Sequence, residues 1–499
     1  MREPEYLRSR YRSIVSLVGL IAGLTGLLML TPLLSIVAWP VTNREALAFL
    51  VPGLSLGAIG LFLWRRFDHG AAILSRLEGG VIVLLSWMIA FAVGAVPFMV
   101  LEGFDWTQGL FESVSGWTTT GLSVLDVAGA GPIILLWRSI MQIAGGAGLA
   151  IIMLAAIAGQ GGVSLSTAEG RTDQLVPNVR ASALLVVRIY AGYAVAGILG
   201  LRAVGMTWFD SINHAFAAIS TGGFSTRPES IGYWNSPAIE AVTIALMILG
   251  NLNFLTAWSL IRGRFRCVMR NGEIRLMAVM VPLCAGLLLW GTCNDPDHPL
   301  MRSVRIAVFE TVTALTTTGF STVSYGEWNG FGILVLIALM LIGAGICSTG
   351  GALKQQRVYL LFRALVQDLR RPASPRTSVE MAAYWRGDER VAITDELLRS
   401  VGTFGFLYLA TWLAGSAVLA ANGFGLQDSL FEFASALGTV GLSTGVTGAS
   451  TPAPVLWVEI VGMLLGRLEF FVVFTGITKL MRDLYWMAKA RTGASDRGM

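Results

Sequence analysis

Charge is what this sequence has least of. Only 13% of its 499 residues are Asp, Glu, Lys or Arg, against roughly 25% in an ordinary soluble domain. With 36 Lys+Arg and 31 Asp+Glu, a chain of this length cannot cover itself with a water-facing coat. Cysteine is nearly absent. Cys267, Cys284, Cys293 and Cys347 form no CxxC pair, which excludes a zinc module and a disulfide framework. The three histidines, His69, His214 and His298, are too scattered for a His-rich metal centre. Lysine is almost missing as well: three of the 36 basic residues are Lys354, Lys479 and Lys489, and the rest are arginine. The arginines fall between apolar blocks, which is a pattern of membrane topology rather than of nucleic-acid binding. No cleavable leader is expected, because the first apolar block is too long for a signal-peptide core.

What the sequence has in excess is apolar residues, 54% of the chain, and glycine, at 58 positions. Mean hydropathy is +0.67. Apolar runs of 20 or so residues cross a bilayer core of about 30 Å. They are predicted at 13–39, 45–64, 80–101, 131–158, 181–204, 237–261, 274–292, 329–362, 397–421 and 453–480. The fold class is therefore an all-α polytopic membrane protein. Basic residues gather before the first span (Arg2, Arg8, Arg10, Arg12) and after the second (Arg65, Arg66, Arg76), fourth (Arg171, Arg180) and sixth (Arg262 to Arg275). They also crowd the connection after the eighth span (Arg363, Arg370, Arg371, Arg376, Arg386, Arg390) and the tail (Lys479 to Arg497). The positive-inside rule then places both termini in the cytoplasm.

The outward connections after spans three, five, seven and nine each hold an apolar stretch too short to span, followed by a Thr/Ser/Gly cluster. The clusters read Thr118-Thr119-Thr120-Gly121, Ser220-Thr221-Gly222-Gly223, Thr316-Thr317-Thr318-Gly319 and Gly438-Thr439-Val440-Gly441. Nine residues before each last glycine stands a polar residue: Glu112, His214, Glu310 or Glu432. Four copies in register define a repeat of helix, re-entrant helix, filter loop and helix. The implied organisation is a two-helix hairpin at 1–75, pore repeats at 76–160, 161–265 and 266–366, a cytoplasmic connection at 367–395 and a fourth repeat with the tail at 396–499. Four such units close around a pseudo-fourfold axis.

This chemistry suits a dehydrating cation. Backbone carbonyls turned to an axis replace its water shell. Glycine at 121, 223, 319 and 441 lets the backbone take positive φ so that the carbonyls aim inward. Neighbouring hydroxyls add oxygens or pin the loops from behind. Each short helix directs its partly negative carboxyl end to the membrane centre. Outward-side acids (Glu102, Asp105, Glu112, Asp126, Asp210, Glu229, Glu310, Glu327, Asp428, Glu432) are expected to raise the local cation concentration.

On these loops the sequence resembles the Trk/Ktr/HKT superfamily of potassium transporters, and within it the TrkH-type uptake subunit. The likeness runs along essentially the whole chain, and the two leading spans are similar to the extra amino-terminal hairpin of that type. Glycine at all four filter positions implies potassium as the transported ion bound by the filter residues. Some relatives that carry serine in the first loop transport sodium. The resemblance further implies a homodimer in the bacterial inner membrane and a cytosolic ring of TrkA-type subunits that bind NAD and ATP. No Rossmann signature occurs here, so no organic cofactor is expected in this chain.

Span eight is interrupted by Gly343-Ala344-Gly345-Ile346-Cys347-Ser348-Thr349-Gly350-Gly351, followed by Lys354. A glycine-dense stretch breaks a helix in mid-membrane. A phosphate-binding loop is excluded, since no G-K-[ST] and no strand are present. The stretch resembles the family's intramembrane gating loop, with Lys354 beside it. Arg467 lies within span ten, where an uncompensated arginine costs at least about 2.5–3.5 kcal/mol. The resemblance makes it an electrostatic barrier below the filter. Glu469 is a poor helical partner for it. Arg138 and Arg188, also within spans, are expected to snorkel or pair. Two transport modes remain open, a channel-like pore driven by membrane potential and a proton- or sodium-coupled symporter. No polar catalytic cluster within the spans points to an enzyme.

Overall fold

Glycine at helix crossings sets how closely this chain packs. In the computed structural model, α1 (Glu3–Met29) and α2 (Asn43–Arg66) lie against each other along Gly19, Gly23, Gly26, Gly53 and Gly60. A β-carbon on Gly60 would fall on the backbone of Gly19 and Gly23, whereas one on Gly57 would meet open space. Small residues of this kind let membrane helices approach when no hydrophobic driving force separates helix from lipid. The structure describes residues 3–67, 75–148, 179–293, 299–346, 348–370, 372, 383–386 and 389–495. Arg2, His69, Arg171, His298, Cys347, Arg371, Arg376 and Arg497 lie outside these, as do the predicted end of the fourth span and the boundary at 160/161.

The first hairpin turns through a short 3-10 helix, Thr31–Val37, and α2 starts at a capping box in which Thr42 and Glu45 satisfy each other's backbone N–H groups. Four units follow. The first has α3 (Arg76–Gly94), α4 (Val96–Leu101), short α5 (Trp106–Trp117) and α6 (Pro132–Gly146). The second has α7 (Val179–Ala203), short α8 (Trp208–Ile219), α9 (Pro237–Asn251) and α10 (Phe254–Ile261). After α11 (Phe265–Arg270), the third unit runs through α12 (Gly272–Leu288), α13 (Leu300–Leu315), α14 (Gly330–Ile342) and α15 (Gln355–Arg370). The fourth has α16 (Asp395–Ala421), short α17 (Leu426–Gly438), α18 (Ala453–Leu468) and α19 (Phe470–Ser495). Helices α5, α8, α13 and α17 hold 12 to 16 residues. At 1.5 Å per residue they reach only about 18–24 Å and cannot span.

Two of the ten spans read from hydropathy, the sixth and the tenth, are corrected, while the interruption expected in the eighth is present. Among the described residues six helices are long and apolar enough to cross alone. The run 237–261 breaks after Asn251 and turns by 117°, and the run 453–480 breaks at Glu469 and turns by 101°. The run 329–362 is helical only at Gly330–Ile342 and from Gln355 onward. Hydropathy averages across these breaks because the residues on both sides are apolar. In units two to four, the helix that follows the Thr/Ser/Gly cluster is therefore interrupted partway.

The connection 367–395, which showed no periodicity for structure of its own, carries an antiparallel hairpin of β1 (Ala383–Arg386) and β2 (Glu389–Ala392). Tyr384 packs with Leu360, Ile393 and Val401, and Arg270 lies 4.7 Å over the Trp385 ring. This ties the hairpin to α11 and α15.

Overpacking the first hairpin tests the glycine crossing. Gly60→Leu is expected to lower stability by about 1–3 kcal/mol, read as a lower thermal midpoint in detergent. Gly57→Ala is expected to leave the midpoint unchanged or raise it.

Candidate functional site

Each short helix ends at a Thr/Ser/Gly cluster, and the four clusters meet. The residue two before each last glycine is left-handed although it carries a side chain: Thr119 (φ 57°), Thr221 (52°), Thr317 (53°) and Thr439 (50°). The glycines follow at φ 97° for Gly121, 72° for Gly223, 84° for Gly319 and 95° for Gly441. The same backbone is thus repeated four times. A β-carbon on Gly121 would run into the Gly222 carbonyl, on Gly223 into Thr318, on Gly319 into Val440, and on Gly441 into Thr120. Each loop abuts the next, and the fourth abuts the first, so the loops form a closed ring.

The first hydroxyl of each cluster holds its loop from behind. Thr118 donates to the Val114 carbonyl at 2.7 Å, Ser220 to Phe216 at 2.7 Å, and Thr316 to Val312 at 2.8 Å. Gly438 has no such group. There the loop hangs on Ser435, whose Oγ accepts from Gly441 N at 2.9 Å, as Ser115 Oγ does from Gly121 N at 3.1 Å.

The polar residue nine before each glycine serves the segment beyond it. Glu112 accepts from the Ser123 hydroxyl and Val124 N, both at 2.6 Å. Glu310 accepts from Thr322 N at 2.8 Å and from the Tyr325 hydroxyl. Glu432 accepts from Ser443 at 2.7 Å and from Thr447 N at 3.1 Å. His214 does the same work through its ring. Its Nδ1 donates to the Asp210 carbonyl at 2.8 Å, and its Nε2 is hydrogen-bonded to the Ser225 hydroxyl at 2.9 Å.

These roles correct the expectation that ten outward acids face the solution. Glu112, Glu310, Glu432 and Asp210 are buried and used as loop supports. Of the ten, Glu229 and no other lines the cavity above the ring. That cavity, of about 640 Å³, is floored by Gly121, Gly223, Gly319 and Gly441 together and flanked by Ser123, Ser321 and Ser443.

Two residues behind the ring escaped sequence reasoning as parts of the site. Arg138, buried, pairs with Glu112 at 3.3 Å, donates to Ser123 Oγ at 2.9 Å and lies 3.7 Å over the Phe224 ring. It joins the first loop to the second. Gln142 donates to the Gly222 carbonyl at 2.5 Å and accepts from Phe224 N at 3.3 Å. A polar pair spaced by four on an apolar helix was the available signal. Arg188 is exposed on its helix.

Below the ring lies the segment between α14 and α15. It contains Gly343, Ala352 and Lys354 at positive φ. Thr349, fully buried, meets the ring. The Thr349 hydroxyl is 2.7 Å from that of Thr221, and its carbonyl accepts from Thr119 at 3.3 Å. A β-carbon on Gly350 would land on the Thr317 hydroxyl, and one on Gly351 on that of Thr439. The segment therefore touches the left-handed threonine of all four clusters.

Arg467 donates to the Thr349 carbonyl and, at 2.6 Å, to that of Gly145. Among the described residues it also donates to the Gly146 carbonyl at 3.2 Å. Glu469 pairs instead with Arg357 at 2.9 Å. Lys354 is buried and donates to the Gly350 carbonyl. Asn251 accepts from Gly345 N at 2.9 Å and Glu273 from Ile346 N at 2.6 Å. Neither was singled out from sequence, since each stands at a helix end far along the chain from the segment it holds.

A family model described as "TrkH: Cation transport protein" matches residues 60–271 and 296–487. The chain is 31% identical to the Trk system potassium uptake protein TrkH of Escherichia coli K12, over 94% of this chain and 98% of that one. It is 28% identical to the protein of the same name from Halomonas elongata, over 93% and 97%. The crystal structure of the potassium transporter TrkH from Vibrio parahaemolyticus superposes with a TM-score of 0.80 at 28% identity, over 94% of this chain and 98% of that one. A family match across most of the chain and a shared fold lead to one conclusion: the chain belongs to the TrkH family of cation transport proteins.

Proposed function

We propose that this chain is the pore-forming subunit of a potassium uptake system, passing dehydrated potassium through the ring of Thr118–Gly121, Ser220–Gly223, Thr316–Gly319 and Gly438–Gly441. The observation that carries the reading is the seating of each filter glycine against the carbonyl that precedes the glycine of the next repeat. Carbonyl oxygens so arranged replace a cation's hydration shell, and four short helices aim their partly negative carboxyl ends at the same point. The names of the relatives, potassium uptake proteins, support potassium as the ion. One charge moving down the membrane potential gains about 2.3 kcal/mol per 100 mV, enough to drive accumulation with no chemistry in this chain.

In this reading Gly343, Gly345, Gly350, Gly351, Lys354 and Arg467 belong to a gate. The segment 343–354 closes the path beneath the filter, and Arg467, Lys354, Asn251 and Glu273 hold it closed by binding its backbone. The basic connections support an orientation with both termini in the cytoplasm. There the β1–β2 hairpin and its arginine-rich flanks form a docking face for a TrkA-type nucleotide-binding partner, on a homodimer of this chain. The hairpin, four pore repeats and cytoplasmic connection are its functional units.

Three outcomes are expected. In proteoliposomes Gly319→Ser abolishes selective potassium flux, because its side chain meets Val440. Gly445→Ser, at a positive φ of 98° but facing open space, retains it. Arg467→Ala and Glu273→Ala raise basal flux: a hydrogen bond to a charged group contributes about 1.5–3 kcal/mol, and 1.4 kcal/mol is tenfold in population. Arg305→Ala, which breaks a pair with Glu240 away from the gate, leaves basal flux as it was. Finally, currents reverse at the potassium equilibrium potential across potassium and sodium gradients. Reversal elsewhere, shifting with pH or sodium, would identify coupled symport instead.

A further inference from the structure

Between the 3-10 turn at Thr31–Val37, α6 and pore helix α8 lies a groove of about 430 Å³ that the ion path does not use. Its walls are Leu34, Trp39, Leu136, Ile140, Phe209 and Phe216, and the lining is almost wholly apolar. The groove is open to the lipid-facing side: Leu34 is 72% exposed and Val37 90%. Trp39 packs edge-on to Phe209 with ring centroids 5.0 Å apart, and Trp208, beside it, is 56% exposed. Tryptophans so placed mark the headgroup level of a bilayer, so the groove descends from that level along one leaflet. A helix is about 10–12 Å across and does not enter a space of this size. An unfilled apolar groove leaves its lining without dispersion partners.

We propose that the groove holds one acyl chain of a phospholipid from the leaflet on the vestibule side, and that this chain braces the second filter loop from behind. The bracing follows from helix geometry. Ile140 and Gln142 are two residues apart on α6 and so face nearly opposite sides. Ile140 lines the groove, while Gln142 holds the Gly222 carbonyl and Phe224 N of the second loop. Phe216, on the other wall, supplies the carbonyl to which Ser220 of the same loop donates at 2.7 Å. An occupant presses on α6 and α8, the two elements that fix this loop.

The test uses the full chain in phosphatidylethanolamine–phosphatidylglycerol vesicles doped with a phospholipid bearing a diazirine in its acyl chain. After irradiation, adducts are expected on the peptides carrying Leu136, Ile140 and Phe216. They are expected to fall about tenfold in Leu34→Trp, whose indole enters the groove from an exposed position. Labelling of Leu54 and Phe62 on the lipid-facing side of α2 stays constant and reports an intact fold. Groove labelling that ignores the substitution, or crosslinks to a second copy of the chain, would overturn the site. Hydrogen exchange tests the bracing without relying on transport. The amide of Phe224 is expected to exchange about tenfold faster in delipidated wild type than in vesicles, and Leu34→Trp to keep it slow when delipidated. Exchange that is equal in wild type with and without lipid would overturn the bracing.

Discussion

The ring depends on one packing constraint. Each ring glycine sits where a β-carbon would strike the carbonyl of the following repeat, and the contact closes from the fourth loop back to the first. It demands glycine at four places separated by about a hundred residues, and it demands that the pore helices end at a common level. Short helices satisfy the second demand because they need not cross the membrane. The loops beyond them have no strand or helix partner for their amides. Buried side chains on the short helices take that part, three as carboxyl groups and one as an imidazole. Where Glu112 carries charge, Arg138 sits beside it, so the first of these buried carboxylates is compensated.

A ring of four similar threonines receives a single segment from one repeat, and this breaks the symmetry. Its partners differ accordingly. Repeat one supplies the Gly145 carbonyl that helps orient Arg467, repeat two supplies Asn251, repeat three supplies Glu273 and Lys354, and repeat four supplies Arg467 itself. The segment has side-chain residues at positive φ, Ala352 and Lys354, a conformation that costs about 1–2 kcal/mol each and persists only where surroundings hold it. Its position is thus maintained by the four repeats rather than by its own local preference.

Local demands were legible in the sequence. Left-handed backbone and close approach restrict a position to glycine, so four glycines in register with a polar residue nine before each disclosed the repeat. Sustained apolar runs disclosed the spanning helices, and Gly343 to Gly351 disclosed a break. The breaks at Leu252-Asn253 and at Glu469 were hidden, because a hydropathy window sees apolar residues on both sides. Asparagines flanking Leu252 were the faint sign. The β hairpin was also hidden: its strands are four residues long, and the Gly387-Asp388 pair between them was the only turn signal.

Arg138, Gln142, Asn251 and Glu273 show the boundary most plainly. As single polar residues on apolar helices they announce that something must satisfy them, since an unpaired polar group in the membrane interior is costly. What satisfies them lies far along the chain, on another repeat for Gln142 and Asn251, and up to 94 residues away for Asn251 and Gly345, and no local pattern encodes that distance. The same holds for Arg467, which donates to backbone carbonyls that a sequence does not distinguish from any others. By itself the sequence determined the membrane class, the fourfold repeat and the glycines that close the ring, because each follows from hydropathy or from backbone sterics at one position. Only the tertiary structure decided which repeat touches which, which side chains hold the central segment, and where the spans bend, because those outcomes depend on contacts between parts of the chain that approach one another only after folding.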